Sequence, residues 1–331
     1  MPSAKPTASR SSPSSRRTEP QTPPETIDPV WLLKAIALTL VAALICAWLT
    51  ACWLVYQGEW QLVLHPTRTV DQTPASAGLT FDEIHFGASE TGEPRLSGWW
   101  VPAQDAPPPN AQPILQSIPK YAAYTVLYLH NGEGSLSNTV PMLATLHRAG
   151  LNVFAFDYRG FGTSDATAHP SQDRMAQDAA AALDYLASTR HIPTRDIVPY
   201  GVGLGAALAA NLAHDHPELP AVILDNPDPD PASTAASAHP SRAIPVRLLF
   251  GHAFDIATPL ATLGTPKLLI AGGPNSSNPI RNPGQLQSLF QHAASPSFAV
   301  TIPPASYYPG YQAALDRFLD QYLPDQYLPA H

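Results

Sequence analysis

Between Ala35 and Tyr56 lie twenty-two residues, AIALTLVAALICAWLTACWLVY, without one charged side chain. A helix needs about 20 apolar residues to cross the hydrocarbon core of a bilayer, and this run is long enough. The competing reading is a buried core helix. A globular helix keeps a polar stripe, however, and only scattered Thr interrupts the apolar surface here. The expected organisation is therefore a tail at residues 1–29, a membrane anchor at 30–56 and one domain at 57–331.

The flanks predict an orientation. Lys5, Arg10, Arg16, Arg17 and Lys34 precede the run, and Arg68 is the only basic residue soon after it. An excess of Lys and Arg marks the cytoplasmic side, so the expectation is a bacterial inner-membrane protein with a cytoplasmic N-terminus and a periplasmic domain. Trp31, Trp53, Tyr56 and Trp60 fall where interfacial aromatics anchor a span. Leu49-Thr50-Ala51-Cys52 also reads as a lipoprotein cleavage box with Cys52 lipidated, but the apolar run continues through Trp53-Leu54-Val55-Tyr56. Arg16-Arg17 lacks the apolar residues that follow a twin-arginine signal, since Glu19 and Pro20 stand there. Cys46 and Cys52 are the only cysteines, which leaves the domain without a disulfide, a thiol nucleophile or a thiolate metal site.

Residues 1–29 are rich in Pro, Ser and Thr and nearly devoid of large apolar side chains, a composition that predicts disorder. A net charge of −8 gives no basic face for a nucleic-acid backbone. Beyond the anchor, short apolar runs alternate with helical patterns. Strands are predicted at 79–86, 96–101, 124–129, 152–156, 197–200, 221–224, 267–270 and 298–302. Residues 102–119 are read as a Pro-rich loop, and helices are expected at 141–149, 173–189 and 313–322. The runs YTVLYL and NVFAF are apolar throughout, as in parallel strands covered on both faces. This alternation predicts a three-layer α/β/α sandwich around a mostly parallel sheet.

Five segments occur in a telling order: Leu96-Ser97-Gly98-Trp99-Trp100-Val101-Pro102, Tyr128-Leu129-His130-Asn131-Gly132-Glu133-Gly134, Phe156-Asp157-Tyr158-Arg159-Gly160-Phe161-Gly162-Thr163-Ser164, Tyr200-Gly201-Val202-Gly203-Leu204-Gly205, and Ile244-Pro245-Val246-Arg247-Leu248-Leu249 before Phe254-Asp255. Together they resemble the α/β-hydrolase superfamily, and within it the membrane-anchored branch of Bem46-like and serine-aminopeptidase-like (S33-type) hydrolases. The resemblance implies a nucleophilic Ser in a G-x-S-x-G elbow, a His, an acid and a backbone oxyanion hole.

None of the three catalytic side chains is found where the resemblance places it. The Ser position is Gly203, the acid position falls on Asn275 and the His position on Tyr307. A slip of register changes nothing: no Ser lies between Ser188 and Ser233, no Asp or Glu between Asp255 and Asp316, and no His between His292 and His331. Gly132 and Leu204 retain the backbone N–H groups of an oxyanion hole. Asp225 and His130 are the candidate displaced residues, with loop-fixing as their ordinary role. Asp157 and Arg159 are expected to fix the loop after their strand. His214, His216 and His252 show no paired carboxylate spacing, and no metal or other cofactor is expected.

The expectation that follows is a pseudohydrolase that binds an acyl, lipid, peptide or protein ligand at the outer face of the membrane. Its alternative is an active serine-hydrolase-like esterase or peptidase that uses displaced residues.

Overall fold

The computed structural model describes residues 28–88, 94–104, 119–167, 169–238, 244–250, 254–272 and 283–323. The tail at 1–27, the centre of the Pro-rich loop, His252 and Asn275 lie outside them, as does the side chain of Trp60.

Helix α1 (Pro29–Gln57) opens with Pro, which lacks the N–H that a first helical position cannot use, and Asp28 Oδ1 accepts from Val30 N at 2.9 Å. It is long and apolar enough to cross a membrane, with a mean hydropathy of 2.4. The chain divides into two compact units inside this helix, at Thr50 and Ala51. The reason is local: Cys52 is buried, and Val55 packs on the core of the following domain.

The domain begins with a 3-10 turn at Glu59–Leu62 and a two-residue strand β1 (His65–Pro66). Then come β2 (Asp82–Ala88), β3 (Pro94–Val101), β4 (Thr125–Leu129), the short β5 (Glu133–Gly134), α2 (Val140–Arg148), β6 (Asn152–Asp157), α3 (Gln172–Asp184), β7 (Ile197–Val202), α4 (Leu204–Asp215) and β8 (Val222–Asp225). Three short helices follow, α5 (Pro231–Ala238), α6 (Val246–Phe250) and α7 (Ala257–Thr262). The chain closes with β9 (Lys267–Gly272), α8 (Pro283–His292), β10 (Ser297–Ile302) and α9 (Tyr307–Tyr322).

Eight strands form one sheet in the order β10-β9-β8-β7-β4-β6-β3-β2. It is parallel from β10 to β6, while β3 pairs antiparallel with both β6 and β2. Strand β4 illustrates why its run is apolar throughout. Leu127 and Leu129 enter the core under α3 and α4, whereas Val126 and Tyr128 enter the core under α2 and α9. The predicted three-layer sandwich is therefore the observed fold.

Element limits differ where side-chain patterns were silent. The helix predicted at 173–189 runs to Asp184 and finishes as a π-helical turn through Thr189. The last helix begins at Tyr307 rather than Ala313, because a 3-10 turn at Pro304–Ser306 already sets the chain into helical angles. Helices α5 to α8 were not anticipated.

Candidate functional site

Gly203 ends the turn from β7 into α4 with φ 57° and ψ −117°. These are the angles of the first central residue of a II′ turn, and a side chain there is strained. Its N–H donates to Asp225 O at 3.0 Å, which ties the turn to the neighbouring strand end. Gly205 lets α4 lie close on β4: a Cβ there would stand 2.6 Å from His130 O.

The space beside Gly203 is filled. A Cβ at position 203 would lie 2.6 Å from Asn131 Oδ1. That same oxygen accepts from Gly132 N at 2.8 Å and from Leu204 N at 3.2 Å. The two backbone N–H groups that sequence reasoning singled out thus converge on one acceptor, supplied by the chain itself. Leu64 and Leu204 close over the same spot, since a Cβ at Gly132 would meet Leu64 Cδ2 at 2.5 Å and Leu204 Cδ1 at 3.0 Å. Asn131 was not singled out from the sequence. The available signal was its place beside Gly132, opposite a glycine that leaves a side-chain-sized gap.

The segment that follows α1 is laced into this loop. His65 N donates to Gly132 O at 2.7 Å and Thr67 N to Gly134 O at 2.9 Å, which makes the parallel β1–β5 ladder. Ser135 Oγ donates to Thr69 O at 2.9 Å and Ser137 Oγ to Gln72 O at 3.1 Å. The Arg68 guanidinium reaches the carbonyls of Phe161 and Ser164.

Asp225, at the end of β8, is 2% exposed. It accepts from Tyr200 Oη at 2.6 Å and Asn226 Nδ2 at 2.7 Å, and the Tyr307 hydroxyl is near enough to act on its titration. Tyr311 Oη in turn donates to Tyr200 Oη at 2.9 Å, and the Tyr128 ring stacks on Tyr200. The structure thus brings Asp225 and Tyr307 together within a cluster of buried phenols. Tyr200, Tyr311 and Asn226 were missed, because tyrosines in apolar strands and helices read as ordinary core residues.

Burial lifts the Asp225 carboxyl to about 6, against the opposing pull of Tyr200, Asn226 and Tyr307. An unfolded Asp titrates near 3.9, so the folded protein holds this proton more tightly. Stabilisation from this group is complete below about pH 4 and is lost as pH rises through about 6. Asp225→Asn should flatten that part of the profile when Tm is followed from about pH 4 to about pH 7. An unchanged slope in the variant would count against the buried, phenol-bonded carboxyl.

His130 is held elsewhere. Its ring is 2% exposed, packs on Tyr158 and Phe161, and has Nδ1 2.6 Å from Asn131 O. Nε2 has no hydrogen-bond partner and faces Asp157 Oδ1 at 3.7 Å. Burial pushes the imidazole down to about 4 and lifts the Asp157 carboxyl to about 7. No residue is shared between the partners of His130 and those of Asp225. Asp157 Oδ1 accepts from Leu136 N at 2.9 Å, and Arg159 pairs with Asp178 at 2.6 Å rather than with Asp157. Both residues hold chain segments next to the strand end. His214 and His216 lie beside Asp215 and Glu218 at the surface. Among the described residues no three His, Cys, Asp or Glu gather as a metal site. A separate groove of about 310 Å³ lies between the segment after β8 and helices α7 and α8, lined in part by Asp230, Leu260, Ser288 and His292. None of its lining residues belongs to the elbow.

An eight-stranded, mostly parallel sheet with a sharp strand-to-helix turn after β7 defines an α/β-hydrolase fold. The family described as serine aminopeptidase, S33, matches residues 122–292, and the chain belongs to it. Protein Rv2307c of Mycobacterium tuberculosis H37Rv is 30% identical over 209 residues, 63% of this chain and 66% of that protein. The chain thus spans just under two thirds of that relative. WAV2 of Arabidopsis thaliana, an alpha/beta hydrolase domain-containing protein, is 30% identical over 46% of this chain and 45% of its own length. Protein bem46 of Schizosaccharomyces pombe is 34% identical over 34% of this chain and 38% of its own. Among solved structures, the Pyrococcus furiosus esterase Pf2001 superposes with a TM-score of 0.60 at 18% identity, covering 79% of this chain and 98% of that one. At that identity the likeness speaks for the fold alone.

Proposed function

We propose that this protein is a membrane-anchored pseudohydrolase that acts by binding a ligand or partner outside the cytoplasm of a bacterium. The observation that carries this reading is the Asn131 carboxamide, whose oxygen is bonded to the Gly132 and Leu204 amides in the space a nucleophile would need. Oxyanion-hole donors act on the oxygen of a reacting carbonyl. Here the chain's own carbonyl takes that place. Gly203 offers nothing to acylate, and Tyr307, the residue the family resemblance puts at the position of the base, is a phenol pushed far above the usual range by burial. In a serine protease, loss of the nucleophile costs about 10⁶ in kcat. Turnover of biological use, roughly 1–10³ s⁻¹, is out of reach from such a start.

The apolar helix α1 and the basic residues ahead of it support the anchor and its orientation. The acyl, lipid, peptide or protein nature of the ligand follows from family membership alone. An active esterase or peptidase with displaced residues would need Asp225 or His130 to reach a substrate, and both are enclosed by packed phenols and phenyl rings.

The full chain in lipid nanodiscs, exposed to a fluorophosphonate probe and to short-chain p-nitrophenyl esters, should give neither labelling nor turnover above empty discs. Stoichiometric labelling with turnover, abolished by Asp225→Asn or His130→Ala, would replace this reading with the enzymatic one.

A further inference from the structure

The parallel register that sets Tyr128 against Ala155, carried two residues on, brings His130 beside Asp157 at the ends of β4 and β6. Both side chains are buried. Nδ1 of His130 lies 2.6 Å from Asn131 O, and a carbonyl can only accept, so Nδ1 carries the ring proton. A neutral imidazole has one N–H, which leaves Nε2 a bare lone pair. That lone pair has no partner and faces Asp157 Oδ1 at 3.7 Å, too far for a hydrogen bond. An ionised carboxylate is acceptor-only as well. Two buried acceptors therefore confront each other unless a proton lies between them. Leaving a buried polar atom without a partner is costly, and one proton on either atom removes the conflict.

We infer that His130 and Asp157 bind one proton between them, that this proton ties the ends of β4 and β6 together, and that its release loosens the seat of the Asn131 carboxamide. The connection is short. Nδ1 grips the carbonyl of Asn131, the residue whose side-chain oxygen takes the Gly132 and Leu204 amides. Asp157 Oδ1 accepts from Leu136 N further along the same loop, so the pair holds that loop at two points. Few other charges act there. Burial sets the Asp157 carboxyl at about 7, against the Leu136 and Thr163 amides and the Arg68 guanidinium, which favour the ionised form. Tyr158 packs on the imidazole and donates to His130 O at 3.2 Å, and burial keeps its phenol neutral. Asp178 of α3 is paired with Arg159, and Glu133 of β5 lies at the surface against His65. An unfolded Asp titrates near 3.9, so the stabilisation from Asp157 is complete below about pH 4 and is lost as pH rises through about 7. His130, lowered to about 4 by burial, has the opposite sign: its share is present above about 6.5 and is lost as pH falls through about 4. The seat is therefore tightest just below neutrality and loosens on the alkaline side. This control rests on reading the elbow as a closed binding site, whereas the shared proton does not.

The test uses the full chain in lipid nanodiscs, with histidine labelled with 15N and read by NMR from about pH 5.5 to about pH 9. The chain has 12 His, and the signals of His130 are those lost in His130→Gln. Its Nε2 signal should move to that of a bare lone pair with a midpoint near pH 7, and in Asp157→Asn it should not move. An Nε2 that stays bare throughout in the parent would overturn the shared proton. Hydrogen exchange at the Gly132 and Leu204 amides, corrected for the intrinsic effect of pH, is the second readout. It should speed about tenfold from about pH 6 to about pH 8.5, the ratio implied by a proton held at about 7 in the closed seat and released on opening. In Asp157→Asn that acceleration should be absent. A moving Nε2 signal with no acceleration in the parent would overturn the hold on Asn131. If Asp157→Asn does not fold, the two curves of the parent decide alone. Neither readout depends on the absence of turnover, which the fluorophosphonate experiment tests separately.

Discussion

Asn131→Gly, Gly203→Ser and Tyr307→His introduced together should yield measurable ester hydrolysis, whereas Gly203→Ser alone should yield none. The single change places a Cβ 2.6 Å from Asn131 Oδ1 and puts a side chain at φ 57°. The backbone strain alone costs on the order of 1–3 kcal/mol, so this variant should melt earlier than its parent. Replacing Asn131 by Gly clears that contact and frees the Gly132 and Leu204 N–H groups for a substrate carbonyl. An imidazole at 307 would stand near Asp225, a carboxyl that could orient it, which spares the design any new acid at Asn275. A positioned general base contributes about 10²–10⁴-fold, and the lower end of that range over the parent is the expected gain. Hydrolysis of p-nitrophenyl acetate and fluorophosphonate labelling at position 203 provide the readouts. If the combined variant melts with its parent and still takes no label, more than Asn131 closes the site.

Lys267→Met should cost about 3 kcal/mol of stability, the upper end of the cost of leaving buried acceptors without their donor. Lys267 is 0% exposed at the first position of β9. Its ammonium donates to Leu263 O at 2.8 Å, Ala294 O at 2.7 Å and Pro296 O at 3.2 Å. Burial pushes its pKa down to about 8, which still leaves three N–H donors at neutral pH for three carbonyls. Met matches the length of the stem and donates nothing, so those carbonyls lose this donor in a dry setting. A fall in Tm of roughly 6–12 °C is expected for a domain of this size. An unchanged Tm would mean that water satisfies these groups and that the charge is dispensable.

The sequence made the centre of the sheet legible because β4 and the predicted core of β6 are apolar runs, the pattern of parallel strands covered on both faces. The missing Ser at 203 was equally plain, since a glycine between two glycines leaves no ambiguity about side-chain chemistry. What filled the gap was not legible. Asn131 reaches its two amides through a side-chain rotation, and nothing in residue order records where a carboxamide points. Asp225 and Tyr307 lie 82 positions apart, and only the parallel stacking of β8, β9 and β10 sets their ends side by side. Lys267 opens the strand predicted at 267–270, and nothing in the sequence marked it as buried. It is buried because the carbonyls at the ends of α7 and α8 happen to converge on its ammonium. Helices α5 and α6 escaped notice for a simpler reason: an eight-residue and a five-residue helix carry too few turns for a periodic signal.

The way the chain enters the domain has a mechanical corollary. Residues 65–72 are stitched to the loop at 132–137 by a parallel two-residue ladder and by serine side chains. Tension applied through α1, whether from membrane flow or from a tethered partner, would reach the folded domain first where Cys52, Val55 and the Glu59–Leu62 turn pack, and then at that ladder. It would load the bonds of His65 and Thr67 side by side, in shear rather than one after another like a zipper. Those bonds hold Gly132 and Gly134, which follow Asn131, whose carboxamide oxygen is seated between the Gly132 and Leu204 amides. Behind the packing of Cys52, Val55 and the Glu59–Leu62 turn, a tug on the anchor thus passes next to the loop that holds the Asn131 carboxamide.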